Sequence, residues 1–300
     1  MTSIAHWSGV FPASLSMFNA DGSIDESATA AHVRSLVEDG AHGVVVGGTS
    51  GEFVTMTDEE RIRVVELAVD AVAGRVPVIA GTGAPGTAQT IALTAAAADV
   101  GASAALVILP FYLRPNRDEV LAHFRAVGAS SPIPVFLYNN PGNTGTDPVD
   151  ARDIGQLYAD GLLHGVKSTF PTVHQVSEAI DETGPDFRTF YGGFMAPLAG
   201  LAEGAHGWIS GVLNVALREA ITLWDAVQKG DLATARTAAA TIRNYRYLYS
   251  RLPLGEVNDL ALYRQILEIR GRHGGHSRAP IRDLDPSVRP QLERLLAAIG

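Results

Sequence analysis

The sequence predicts a (β/α)8 barrel, the TIM-barrel architecture, with a C-terminal helical appendage. Three observations point there. Short apolar runs alternate with amphipathic helical patterns almost from end to end, and eight such runs fall within roughly the first 210 residues. The runs are continuously apolar, as parallel strands covered by helices on both faces must be. An eight-unit barrel typically needs ~250 residues, which fits this chain. The competitor is an open doubly wound sheet, but "GTGAPG" (81–86) lacks the G-x-G-x-x-G spacing and the acidic residue at the next strand end. It reads as a strand-to-helix turn.

The elements follow in order. The strand runs are "GVFPASLSMF", "GVVVGG", "VPVIAG", "AALVILP", "IPVFLYN", "LLHGVKS", "FRTFYGG" and "HGWISG". Between the first four lie "DESATAAHVRSLVEDG", "TDEERIRVVELAVDAVAG" and "TAQTIALTAAAADVGA". In the second of these, Ile62, Val65, Leu67 and Val69 recur at helical spacing. Thr57 stands three residues before Glu60, a capping box that opens that helix. Residues 1–230 are assigned to the barrel. Residues 231–300 hold further helices packed on it, because no Pro/Ser-rich or charged linker marks off an independent domain.

Composition narrows the function. The chain is 46% hydrophobic and 18% charged, which suits a large globular core. A net charge of −9 argues against a nucleic-acid or anionic-membrane partner. No cysteine is present, so disulfides, thiolate catalysis and Cys-ligated metal centres are excluded. "MTSIAHWSGVF" has neither a basic n-region nor an apolar h-region, and no apolar run approaches the ~20 residues of a membrane span. A cytoplasmic protein is expected.

"GAHGVVVGG", "GLLHGVKS" and "GAHGWISG" each place a His-Gly pair before a strand. His42, His164 and His206 therefore belong to the floor of the barrel, opposite the face where catalysis occurs in this architecture. They are read as turn residues rather than metal ligands. His273 and His276, in "GRHGGHSR", are read as surface-loop residues.

The working mouth is built from the C-terminal strand ends. Strand two ends in Gly47-Gly48-Thr49-Ser50-Gly51-Glu52, strand five in Tyr138-Asn139-Asn140-Pro141, and strand six in Lys167-Ser168-Thr169. Lys167 is one of two lysines among 23 basic residues, and it crowns an apolar strand. The other, Lys229, sits before Gly230 at a helix end, where a cation is common. Desolvation disfavours an ammonium, and lowering its pKa from about 10.4 to about 7 corresponds to roughly 4–5 kcal/mol. A neutral amine there is a nucleophile for a ketone or aldehyde carbon, and the protonated imine is an electron sink. Tyr138 can shuttle protons beside it. Thr49, Ser50 and the glycine-rich turn through Gly51 can bind a carboxylate, and that turn leads into the second helix, whose N-terminal dipole favours an anion.

"GGTSGE", "YNNP" and "GVKST", in this order and spacing, resemble the N-acetylneuraminate lyase / dihydrodipicolinate synthase family of class I Schiff-base aldolases. "MTDEER" and "SRAPIRDL" extend the resemblance over most of the chain. It implies that Lys167 forms an imine with pyruvate or another 2-oxo acid, with an aldehyde as second substrate and no metal or cofactor. Tyr138 would be the acid/base, and Thr49 and Ser50 the carboxylate and proton-relay residues. Tyr112, in "PFYLRP", would cross a dimer interface within a homotetramer, a dimer of dimers. Gly192 and Ile209 match mouth-lining positions.

Asn143 stands where the synthases of this family carry an arginine for the aldehyde's carboxylate, which argues against that activity. Asparagine there is similar to aldolases for 4-hydroxy-2-oxoglutarate, and uncharged residues also occur in the family's sugar-acid members, which act on 2-keto-3-deoxy acids. Phe170, Phe194 and Trp208 imply a bulkier, more apolar mouth than a sugar chain prefers. Two alternatives share the imine, a 2-keto-3-deoxy acid dehydratase and a 4-hydroxy-tetrahydrodipicolinate synthase. A third, of another class, is a catalytically silent barrel that binds a 2-oxo acid.

Overall fold

The computed structural model describes residues 4–170, 172–251 and 253–299. Eight strands form one parallel sheet: β1 (Gly9–Pro12), β2 (Val44–Val46), β3 (Val78–Gly81), β4 (Ala104–Ile108), β5 (Val135–Asn139), β6 (Gly165–Ser168), β7 (Arg188–Tyr191) and β8 (Gly207–Ser210). Neighbours pair in the order β1-β8-β7-β6-β5-β4-β3-β2. The ring is closed by a parallel bridge between Ala13 and Val45, beyond the end of β1. The architecture is a (β/α)8 barrel.

Side chains alternate across the sheet, as period-two geometry requires. Phe11, Val45, Ile79, Leu106, Phe136, Phe190 and Ile209 share the interior cluster, with Trp7 beside them. Val10, Val107, Leu137, Val166 and Trp208 belong instead to the layers between strands and helices. The same alternation puts Tyr138 in the interior column two residues above Phe136, and Lys167 two residues above Gly165.

Helices follow the strands over the barrel's outer surface. The one at Asp58–Val72 begins with the expected capping box, Thr57 Oγ1 accepting from the Glu60 N–H and Glu60 from the Thr57 N–H. After the last barrel helix, Leu217–Gln228, come helices Leu232–Ser250, Asp259–Ile269 and Arg289–Ile299. Among the described residues no helix is long and apolar enough to cross a membrane.

The three repeated histidines each accept a backbone N–H from the start of a strand. His42 Nδ1 takes that of Val10 (3.2 Å), His164 Nδ1 that of Val135 (3.3 Å) and His206 Nδ1 that of Thr189 (3.1 Å). Such a bond requires an unprotonated Nδ1. Burial, helped by the Arg188 charge, lowers the His206 pKa to about 4. They are structural residues of the floor, as their place before the strands predicts.

Candidate active site

Tyr138 on β5 and Lys167 on β6 are register partners. The Lys167 side chain is buried, 5% exposed, and its Nζ lies 3.7 Å from the centroid of the Tyr138 ring. Burial works to raise the Tyr138 pKa. The Lys167 charge and the neighbouring Lys167, Asn140 and Thr49 side chains outweigh it and hold the phenol below its ordinary value. Asn140 Nδ2 donates to the phenol oxygen at 2.9 Å. Asn139 points the other way and fixes the next loop, bonding both the N–H and the carbonyl of Val149.

Gly192, just past β7, lies flat against the lysine. A Cβ added there would come 2.1 Å from Thr169 Oγ1, 2.8 Å from Lys167 Cγ and 3.0 Å from Lys167 Cε. Its lack of a side chain is what lets the lysine stem stand in this column. Thr169 Oγ1 is buried beside it and has no hydrogen-bond partner among the described residues. Ser168 faces outward and donates to Gln175 Oε1.

Thr49–Gly51 form a short 3-10 turn after β2. The N–H groups of Gly51 and Glu52 turn back onto Gly48 and Thr49, but those of Thr49 and Ser50 meet no protein acceptor among the described residues. The Thr49 side chain neighbours the Tyr138 hydroxyl. Ser50 leans toward β8, where a Cβ on Gly211 would fall 2.5 Å from its Oγ. The expected dipole contribution fails. A second 3-10 turn, Phe53–Thr55, separates this loop from the helix at Asp58, whose first turn carries Asp58, Glu59 and Glu60.

Glu52 was legible only as a lone carboxylate at a strand end. It is buried in the left-handed conformation (φ 59°) between the two 3-10 turns. Its Oε1 receives Arg264 Nη2 at 2.5 Å and its Oε2 receives the Arg278 N–H at 2.9 Å. Arg264 also donates to the carbonyls of Ser16 and Gly274, and Arg278 grips Glu60 with both Nη atoms. The C-terminal segment therefore anchors the Thr49–Ser50 loop from behind. This was invisible because the partners lie 212 and 226 residues apart in sequence.

The other expected positions are placed as follows. Ile209 is fully buried in the barrel interior, in the same cluster as Tyr138. Trp208 does not line the mouth: it is fully buried in the outer layer and its Nε1 donates to the Gly193 carbonyl. Strand alternation puts it on the opposite face from Ile209. Phe194 packs against Tyr249, 6.0 Å between ring centroids. Tyr112, in the loop after β4, is 86% exposed. Asn143 is exposed on the short helix Pro141–Thr144, its N–H bonded to Asn140 Oδ1. No cluster of metal-ligating side chains is found among the described residues.

A family profile described as the dihydrodipicolinate synthetase family matches residues 6–299. The chain belongs to this family. The dihydrodipicolinate synthetase family is one of lyases, and its members match this chain over nearly its whole length. An uncharacterized DapA-like lyase of Halobacterium salinarum is 39% identical over 293 residues, covering 97% of this chain and 94% of that protein. A 4-hydroxy-tetrahydrodipicolinate synthase of Methanoculleus marisnigri is 33% identical and covers 97% and 99%. The crystal structure of YagE, an Escherichia coli K12 prophage protein of the dihydrodipicolinic acid synthase family in complex with pyruvate, superposes with a TM-score of 0.90. It is 29% identical and covers 98% of this chain and 99% of that one.

Proposed function

We propose that this protein is a pyruvate-dependent class I aldolase whose nucleophile is Lys167. The observation that carries the reading is the buried amine stacked on a phenol of lowered pKa. The neutral amine adds to C2 of a 2-oxo acid, whose carboxylate lies on the Thr49 and Ser50 amides. Tyr138 gives a proton to the carbinolamine oxygen, which leaves as water. The resulting iminium keeps a positive charge above the phenol, so the phenolate stays accessible and takes a proton from C3. The enamine carbon then attacks the aldehyde carbon, and the new alkoxide takes the proton back from Tyr138. Water hydrolyses the imine and frees the product and the amine. Read backwards, the same steps are a retro-aldol cleavage. No metal or other cofactor is needed.

The relative named 4-hydroxy-tetrahydrodipicolinate synthase supports a second reading of the same imine, with a different aldehyde. An uncharged Asn143 weighs for 4-hydroxy-2-oxoglutarate or a 2-keto-3-deoxy acid instead, and aldol cleavage and dehydration of such an acid share the same imine and enamine. Product identification across those aldehydes and acids separates the readings. The donor half is tested by hydrogen exchange: the C3 protons of pyruvate should exchange in deuterated water with no aldehyde present, and Lys167→Arg should stop it. Exchange that survives this substitution would refute the proposed nucleophile.

Tyr112 and Leu113 are 86% and 78% exposed at the mouth, an unusual place for two large apolar groups. We infer that this segment packs on a second copy within a homotetramer, Tyr112 reaching the partner's site. Sedimentation of the wild type and of Tyr112→Ala measures it.

A further inference from the structure

We propose that Arg61 is a positioning residue for this reaction, holding the backbone of residues 47–49 so that Thr49 stays against the Tyr138 hydroxyl; this rests on the imine reading above. Arg61 stands near the start of the helix Asp58–Val72 and is 5% exposed. Among the described residues its side chain finds two acceptors, both neutral. Nη2 donates to the carbonyls of Gly81 (3.0 Å) and Gly83 (2.9 Å), while Nε has no partner. Burying a cation without a carboxylate is costly. An apolar side chain of similar volume would fill the same space without that cost, so what the guanidinium adds is the set of contacts it makes.

Those contacts join the ends of three successive strands. Gly81 ends β3 and Gly83 follows two residues later in the turn "GTGAPG", so Arg61 grips that turn by its backbone. Its guanidinium carbon lies 4.9 Å from the centroid of the Phe53 ring, in the 3-10 turn beyond β2, a cation–π contact. Phe53 in turn meets Phe111, beyond β4, edge-on with 6.0 Å between centroids.

Two of these contacts converge on the backbone that carries Thr49. From one side, the Phe53 N–H bonds the Gly48 carbonyl at 3.4 Å. From the other, Gly81 packs directly on Gly47. A Cβ on Gly81 would fall 2.3 Å from the Gly47 oxygen and 3.0 Å from the Gly48 nitrogen. Arg61 therefore braces residues 47–49 on both flanks. It also shares a small cavity of about 10 Å³ with Thr49, Phe53 and Tyr138, so the brace ends at the acid/base pair itself. Glu52 and Arg264 hold the same loop from the other end, next to Ser50. A loosened Thr49 still offers its amide to the 2-oxo acid's carboxylate, but its side chain no longer stays on the phenol. Loss of Arg61 thus falls on proton transfer more than on binding.

The test follows deuterium exchange at C3 of pyruvate in wild type, Arg61→Met, Arg61→Lys, Thr49→Val and the double variant. Thermal unfolding of each and borohydride trapping by the wild type accompany it. Arg61→Met should lower kcat for exchange about 10- to 100-fold, the cost of a small misplacement passed on to a reacting group, while KM for pyruvate and Tm move little. Arg61→Lys keeps the charge and can bond the carbonyls but has no planar face for Phe53, and should fall between. In the Thr49→Val background Arg61→Met should cost almost nothing more, since the two act as a unit. An unchanged kcat, a loss in KM alone, a full further loss in the Thr49→Val background, or unfolding of both arginine variants would overturn the positioning role alone if wild type traps pyruvate. Absence of trapping in wild type would overturn the imine reading and this role with it.

Discussion

Lys167 Nζ stands 3.7 Å from the centre of the Tyr138 ring, on strands whose register makes the two residues direct partners. Burial and proximity then act against each other on the phenol, and proximity wins. Two groups that would be expensive to bury alone are placed where the amine holds the phenol below its ordinary pKa.

Tyr138→Phe keeps the ring under the amine and removes the hydroxyl. It should lower kcat by about 10²- to 10⁴-fold, the scale of general acid–base catalysis, with little change in Tm. Because Tyr138 enters the cycle as a proton donor and its pKa is lowered, wild-type kcat/KM should fall with rising pH through a midpoint below 10. That limb should vanish in the variant, as stopped pH–rate profiles will register.

Gly192→Ala should disarm the nucleophile without unfolding the barrel. The new methyl group collides with Thr169 Oγ1 and the Lys167 stem. Imine trapping should slow at least tenfold, and Thr169→Ser paired with it should restore little, since the lysine clash remains. A Gly192→Ala protein that traps pyruvate at the wild-type rate would show that the lysine has another path to the mouth.

Glu52→Gln removes one partner of a buried ion pair, whose side chains are 3% and 1% exposed. Leaving Arg264 uncompensated typically costs about 3–5 kcal/mol, measurable by denaturant unfolding. Because the same carboxylate fixes the Thr49–Ser50 loop, KM for the 2-oxo acid should rise more than kcat falls. Assayed well below the melting transition, an unchanged KM would limit Glu52 to stability.

Acid should destabilise the fold through its neutral histidines. His32 is buried and bonded to Asn214 Oδ1 at 2.8 Å, and burial lowers its pKa to about 4 from an ordinary value of 6.5. The unfolded chain therefore binds a proton more readily. This stabilisation is complete above pH 6.5 and is lost as pH falls toward 4, by up to about 1.4 kcal/mol per pH unit for the group. His32→Gln should flatten the fall of Tm across that window.

Much of this was legible in sequence because it follows from local rules. Eight apolar runs, their helices and the Thr57–Glu60 cap depend on periodicity and nearest neighbours, and strand-end logic brought Lys167, Tyr138 and Thr49 to one rim. Side-chain facing was harder: Trp208 and Ile209 are adjacent, yet only one lies inside, and a one-residue ambiguity in a four-residue strand decides which. The Arg264–Glu52–Arg278 anchor depends on contacts between distant segments, which no spacing encodes.

The most direct test of the central claim is the intact mass and peptide map of the protein after borohydride reduction with saturating pyruvate. One adduct per chain, confined to the peptide containing Lys167 and absent from Lys167→Ala, is the predicted result. An unmodified Lys167 peptide, or an adduct carried equally by Lys229, would contradict it.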